Sequence, residues 1–224
     1  MTDLPKFFCL YNTRGHDFSP GIPVVPWQNA GERDEPLKPI QPVKGWCMID
    51  REEWEWNRAR NGSYWVRMAR DAGSDQLIGY DVFGWDPAQL RTAGWWLRMK
   101  RWVGFDHAAQ HMRTRRALVP YLQDYAAWAT DVYPPIGYSW DSYYEWAMLK
   151  LNAHVRVCTE NRRIPVVLLH LDRDLTMQAR LVRLADKRIR WGLWSDPKTW
   201  EDVAMHAQAV RGFMAMVGGN EVTQ

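Results

Sequence analysis

The chain has 224 residues, 46% hydrophobic and 25% charged, with a formal net charge of +3. This composition supports a buried core and excludes a disordered chain; the length fits one domain over residues 1–224, or two small ones; the charge is too small to point to nucleic acid. No stretch approaches the roughly 18 apolar residues of a membrane span, and no signal-type apolar segment opens the chain, so it reads as cytoplasmic or as exported by a route it does not display.

Residues 7–11 form a first apolar run of strand length. Residues 12–42 follow, punctuated by Pro20, Pro23, Pro26, Pro36, Pro39 and Pro42, and read as a long ordered loop of the kind that usually carries function. A second strand covers residues 45–49, and residues 51–72 read as a helix. Residues 76–83 are a third strand, interrupted by Gly79. Helices are expected over 87–101 and 106–127, the latter basic around His107, His111, Arg113, Arg115 and Arg116. Residues 128–133 are a fourth strand, stopped by Pro134 and Pro135. A helix over 142–161 places Trp146, Leu149 and Ala153 along one side. Residues 164–171 are a fifth, continuously apolar strand. A short helix at 176–186, a sixth strand at 189–194 and an amphipathic helix at 200–217 complete the pattern.

Strands alternating with helices, with strands apolar throughout, imply a parallel sheet buried on both faces. The fold class is therefore α/β. The first expectation is a reduced or distorted TIM-like (β/α) barrel of about six to seven parallel strands, with an open doubly wound sheet as the alternative. No Gly-rich phosphate-binding fingerprint follows any strand, which weakens a nucleotide-binding reading, and no cofactor is implied. Cys9, Cys47 and Cys158 are an odd set without C-x-x-C spacing, and read as buried free thiols rather than zinc ligands.

In parallel α/β folds chemistry collects at the C-terminal ends of the strands. Those ends supply Tyr11 and Asn12; Asp50 and Glu52; Tyr80, Asp81 and Phe83; Tyr133 and Tyr138; His170 and Asp172; and Trp191, Trp194, Ser195 and Asp196. Asp50 and Glu52 are the sharpest pair. Side chains alternate along a strand, so both point to the same side, roughly 7 Å apart at Cα. Arg51, between them, points away, toward the outer layer. Carboxyl groups that close push their pKa values apart, leaving an anion beside a proton donor, as glycosidic cleavage requires. A solvated loop or a helix start would use the same residues. Tyrosines and tryptophans around carboxylates suit a saccharide, whose C–H faces stack on flat rings; with 15 tryptophans the chain has enough for both core and groove. His170 reads as a packed strand-end histidine, and Asp172 and Asp174 as helix caps.

The order and spacing of several segments resembles the hyaluronidase family of glycoside hydrolases. Phe8-Cys9-Leu10-Tyr11-Asn12-Thr13-Arg14-Gly15, followed by Gly21-Ile22-Pro23, is similar to that family's strand and its loop containing Gly-Ile-Pro. Met48-Ile49-Asp50-Arg51-Glu52-Glu53-Trp54 resembles its catalytic strand. Ile78-Gly79-Tyr80-Asp81-Val82-Phe83 resembles its W-G-Y-Y-x-F segment, with Asp81 where the second tyrosine stands. Tyr133-Pro134-Pro135-Ile136 resembles its Y-P-S-I-Y strand end, with Gly137 in place of the last tyrosine and Tyr138 one place later. Lys150 replaces an arginine of the following helix, and Ile189-Arg190-Trp191-Gly192 resembles the last strand.

The resemblance implies a distorted barrel and a retaining, substrate-assisted glycosidase. In it Glu52 is the proton donor and Asp50 holds the substrate's N-acetyl group. The resemblance puts Trp191 in the sugar pocket; together with the strand ends, the expected sugar site is Tyr80, Asp81, Tyr133, Tyr138, Trp191 and Trp194, with no metal. The family's first strand has no counterpart before Phe7, which leads us to expect an open or rearranged barrel. The partner is a polysaccharide, and an anionic one is read by Arg14 and Arg33 on loops, with Lys150 a weaker contributor. Two other readings use the same residues: a non-catalytic carbohydrate-binding or structural protein on this fold, and a chitinase-like or muramidase-like hydrolase.

Overall fold

The computed structural model describes residues 3–11, 21–29, 43–50, 67, 69–71, 73–74, 76–80, 123–134, 136–194 and 203–218. Seven strands lie among them: β1 (Phe7–Tyr11), β2 (Val24–Asn29), β3 (Trp46–Asp50), β4 (Gln76–Tyr80), β5 (Ala127–Asp131), β6 (Ile164–His170) and β7 (Arg190–Trp194). Each pairs in parallel with its neighbours in chain order, and β1 pairs with β7, so the sheet closes into a barrel. Closure excludes the open doubly wound alternative. It also corrects the expectation of a barrel left open ahead of Phe7, because Phe7, Phe8 and Cys9 register directly with Trp191, Gly192 and Leu193.

β2 lies inside the stretch expected to be loop. Its disguise is Pro26, which cannot donate to a ladder yet registers with Tyr11. The hydrogen bond from the Cys9 N–H to the Pro23 carbonyl (2.8 Å) starts the pairing. The helix expected to run to residue 127 is overtaken by β5: Ala126 donates to the Leu77 carbonyl (3.0 Å), and Ala127 is already strand. β5 ends two residues sooner than expected, at Asp131, although Val132 still donates to Leu168 O (3.1 Å). The helices expected over 87–101 and most of those over 51–72 and 106–127 lie outside the described residues.

Period-two alternation sorts the strand residues into two cores. Phe8, Leu10, Val25, Trp46, Met48, Ile78, Ala127, Ala129, Val166 and Leu168 pack together inside the barrel. They fill it, so it is a core and not a channel. Gly192 of β7 belongs to this inner set. A Cβ there would stand 2.7 Å from Leu168 Cδ2 and 3.0 Å from Phe8 Cε2, so a larger residue would force these side chains to shift.

The alternate residues Cys9, Val167, Leu169, Trp191 and Leu193 face outward into a second core. Its far side is formed by helices α1 (Trp140–Glu160), α2 (Leu175–Leu184) and α3 (Val203–Gly218). α1 buries Tyr143, Ala147, Leu151, His154, Val155 and Cys158, the spacing of one helical face. Ser139 caps α1 by accepting from the Ser142 N–H (3.4 Å), and Asp174 caps α2 by accepting from Met177 (2.9 Å). No described helix is long and apolar enough to cross a membrane.

Candidate functional site

Because all seven strands run the same way, their C-terminal residues share one rim. β3 contributes Asp50, whose backbone registers with Asn29 of β2 and stands two residues beyond the interior residue Met48. β4 contributes Tyr80, which, like Trp27 of β2, packs against the inner core. Asp50 and Tyr80 thus end adjacent strands, joined by the Ile49–Gly79 register. Glu52 and Asp81, the two carboxylates that follow these ends, lie outside the described residues, as do Asn12, Arg14, Arg33, Arg51, Phe83, Ser195 and Asp196.

The opposite part of the rim is built from β5, β6 and β7. His170, the last residue of β6, registers with Trp194, the last of β7, and their rings meet edge to face with centroids 4.4 Å apart. Tyr133 approaches the other side of His170, at 5.4 Å and also edge to face. The guanidinium of Arg173 lies 5.7 Å from the Tyr133 ring centroid. These contacts form a continuous wall: Trp194, His170, Tyr133, Arg173.

Two devices hold His170 in place. Gln178, fully buried on α2, accepts from the His170 N–H and donates to its carbonyl, both at 2.9 Å. On the ring, Nδ1 accepts from the Asp172 N–H (3.2 Å), with the Asp172 carboxylate 3.5 Å away. A neutral ring bonded this way carries its hydrogen on Nε2. Asp172 is therefore tied to His170 rather than capping a helix, while Asp174 is a cap as expected. Gln178 and Arg173 are residues that sequence reasoning missed. Their roles come from where α2 begins, which no local motif announces.

One expected site residue finds another place. Trp191 was expected to wall the sugar pocket, but it is only 1% exposed and packs in the outer core with the helices. The reason is parity: Trp191 registers with the outward residue Val167, whereas Trp194 shares the inner parity with Gly192. Trp194 is the tryptophan of the rim. Tyr138 follows Gly137, whose φ is +82°, and is 41% exposed on the connection from β5 to α1. Lys150 lies on α1, the helix from which a weaker contribution was expected. It donates to Asp131 Oδ1 (2.8 Å), with side chains 15% and 23% exposed, and lies 5.5 Å from the Trp146 ring.

The thiols offer no nucleophile. All three are free and buried, and burial pushes Cys47 up to about 11 and Cys158 up to about 12. Cys9 lies 3.3 Å from His206 Nε2 of α3. Burial raises the Cys9 pKa and lowers that of His206, with the Asp172 charge opposing the latter more weakly. Both shifts favour a neutral pair, whereas an activated thiolate needs a stabilised imidazolium beside it. Among the described residues no group of three His, Cys, Asp or Glu side chains is arranged to hold a metal ion.

What the rim can do chemically follows from this inventory. It presents aromatic edges and a guanidinium on one side, and a tyrosine beside the end of the Asp50 strand on the other. Comparison of the chain with protein-family models, with curated proteins and with solved structures finds no match.

Proposed function

We propose that the protein is a glycoside hydrolase that cleaves an N-acetylhexosaminide linkage in a glycosaminoglycan-like polysaccharide. The observation that carries this reading is the convergence, at one rim of a closed parallel barrel, of the Asp50 strand end with Tyr80, Tyr133, His170 and Trp194. Aromatic walls suit the apolar faces of sugar rings. The C-terminal ends of parallel barrel strands are where such folds carry chemistry.

In the proposed reaction Glu52 gives its proton to the glycosidic oxygen as the C–O bond breaks. The carbonyl oxygen of the substrate's own N-acetyl group bonds to the anomeric carbon, forming an oxazolinium ion. The Asp50 carboxylate stabilises the positive charge that develops on that group. Water then opens the oxazolinium from the opposite face, giving its proton to Glu52, and the product retains its anomeric configuration.

The test is a reducing-end assay on hyaluronan, chondroitin, chitin oligomers and peptidoglycan. New reducing ends from a polymer with N-acetylhexosamine, with retained configuration, are the expected result. Retention of sugar without release would replace the hydrolase by a carbohydrate-binding protein. Cleavage of chitin or peptidoglycan alone would turn the reading to a chitinase-like or muramidase-like enzyme.

A further inference from the structure

Among the described residues of the rim, Arg173 is a cation that the proposed chemistry leaves unused. Arg173 follows β6, and its backbone N–H donates to the His170 carbonyl (3.0 Å), which anchors it at the strand end. Its guanidinium rests against the Tyr133 ring. Its Nε is sealed from solvent with no acceptor, and it makes no ion pair with any described carboxylate. The neighbouring acids do not serve it: Asp174 caps α2 through Met177, and the Asp172 carboxylate lies against His170.

A guanidinium desolvated on one side, 5.7 Å from an aromatic centroid and without an anion among the described residues, carries a cost that an incoming anion would relieve. At the other end of the same wall, the Trp194 indole Nε1 is also buried without an acceptor. Two unsatisfied donors therefore flank the edges of His170 and Tyr133. A hydroxylated ring with an anionic substituent offers an acceptor for the guanidinium and apolar faces for the aromatic edges.

We propose that Arg173 recognises a carboxylate on the ligand, as carried by a uronic acid unit of the polymer. The planar fork of arginine accepts a carboxylate through two parallel hydrogen bonds. The sugar bearing it would pack along Tyr133, His170 and Trp194. The choice of a polymer as ligand rests on the hydrolase reading above; the recognition of the carboxylate does not require that any bond be cleaved.

The experiment is calorimetric binding of a hyaluronan oligosaccharide and of the same oligosaccharide with its carboxyl groups reduced to alcohols. It compares wild type, Arg173→Gln and Arg173→Lys in the full chain. Wild type should prefer the acidic form by roughly 10- to 100-fold, the range expected for a charged hydrogen-bonded contact. Arg173→Gln should lose that preference while binding the reduced form like wild type. Arg173→Lys, with charge but no fork, should fall between, and it carries the test if the glutamine variant does not fold. Equal binding of both forms by wild type, binding of neither, or a parallel loss of both in the variants would each overturn the role of Arg173. Selective binding without cleavage would instead remove the hydrolase reading and leave Arg173 standing.

Discussion

Trp191 and Trp194 are three residues apart on one strand, and they separate two regions that treat polar groups in opposite ways. Trp191 belongs to the outer layer, where several buried polar groups among the described residues are matched. The Tyr143 hydroxyl donates to the Val132 carbonyl (2.8 Å), His154 Nε2 donates to the Trp128 carbonyl (2.9 Å), and Cys9 faces His206. Trp194 belongs to the rim, where its own Nε1 and the Nε of Arg173 are buried without acceptors. Burial alone does not tell structure from function here, since both regions hold buried polar atoms. Satisfaction separates these two layers, and because a folded chain rarely leaves buried donors unmatched each exception asks for an explanation; Ser74 Oγ, Arg163 Nε and Arg190 Nε, before or at the starts of β4, β6 and β7, are exceptions outside the rim.

The strongest way to break this contrast is at the rim. Glu52→Gln should lower kcat by at least about 100- to 10,000-fold, the usual contribution of a positioned proton donor, with little change in Tm. Asp50→Asn should also cut kcat while leaving a protein that folds. A covalent glycosyl adduct on Asp50, trapped and detected by mass spectrometry, would show that Asp50 attacks the sugar itself. Turnover like wild type in Glu52→Gln would take Glu52 out of the mechanism.

The outer layer should answer in stability instead. Trp191→Ala empties a large volume in a core that also holds Val167, Leu193 and Phe213. It should cost about 3–5 kcal/mol, visible in urea unfolding. Trp194→Ala should cost less, because its side chain is only partly buried, and should weaken sugar binding instead. If Trp191→Ala folded stably yet lost sugar affinity, the division between the layers would be drawn in the wrong place.

Gly192 tests the interior that separates them. Gly192→Ala brings a methyl to 2.7 Å from Leu168 Cδ2 and 3.0 Å from Phe8 Cε2. Both are side-chain atoms, so they can shift, but Phe8 and Leu168 are already close-packed. Overpacking of this kind costs about 1–3 kcal/mol. An unchanged Tm would show that the inner layer has slack.

Much of the barrel is legible in the chain because β6 and β7 are apolar runs bounded by clear breaks. Their helices also repeat one buried face, as Tyr143, Ala147, Leu151 and Val155 do. β2 is hidden because Pro26 removes the donor that a strand is expected to have. The error over Trp191 had a remedy in the sequence. If His170 is taken as facing the rim, its partner across the ladder at the end of the next strand is Trp194, and alternation then turns Trp191 outward. Gln178 and Arg173 had no such remedy. Gln178 matters because α2 brings it back onto His170, eight residues earlier, and Arg173 because Tyr133 arrives from the segment that follows β5. Contacts of that kind are set by tertiary packing, and no periodicity within either segment carries them.

The smallest expected effect probes the outer layer by pH. His206 is buried against Cys9 Sγ at 3.3 Å, and burial lowers its pKa more than the Asp172 charge raises it. The folded protein therefore holds this ring neutral at pH values where the unfolded chain protonates it. Above about pH 6.5, the ordinary histidine value, both states are neutral and His206 adds no pH dependence. As pH falls below that value, the unfolded chain binds a proton that the folded one does not. Stability then declines until the lowered folded pKa is reached. The limiting slope for one group is about 1.4 kcal/mol per pH unit, and a partial share of it is expected. Cys9 does not add to this slope, because burial raises its thiol pKa far above the window. Urea unfolding of wild type and His206→Gln between pH 7.5 and 5 isolates the effect by difference: the variant should lose less stability on acidification. Its sugar affinity at pH 7.5 should match that of wild type. A matching acid slope in both proteins would mean that His206 is not held neutral. A loss of sugar affinity in the variant would mean that the Cys9–His206 layer and the rim act as one unit, with Asp172, which faces His170, as the natural link between them.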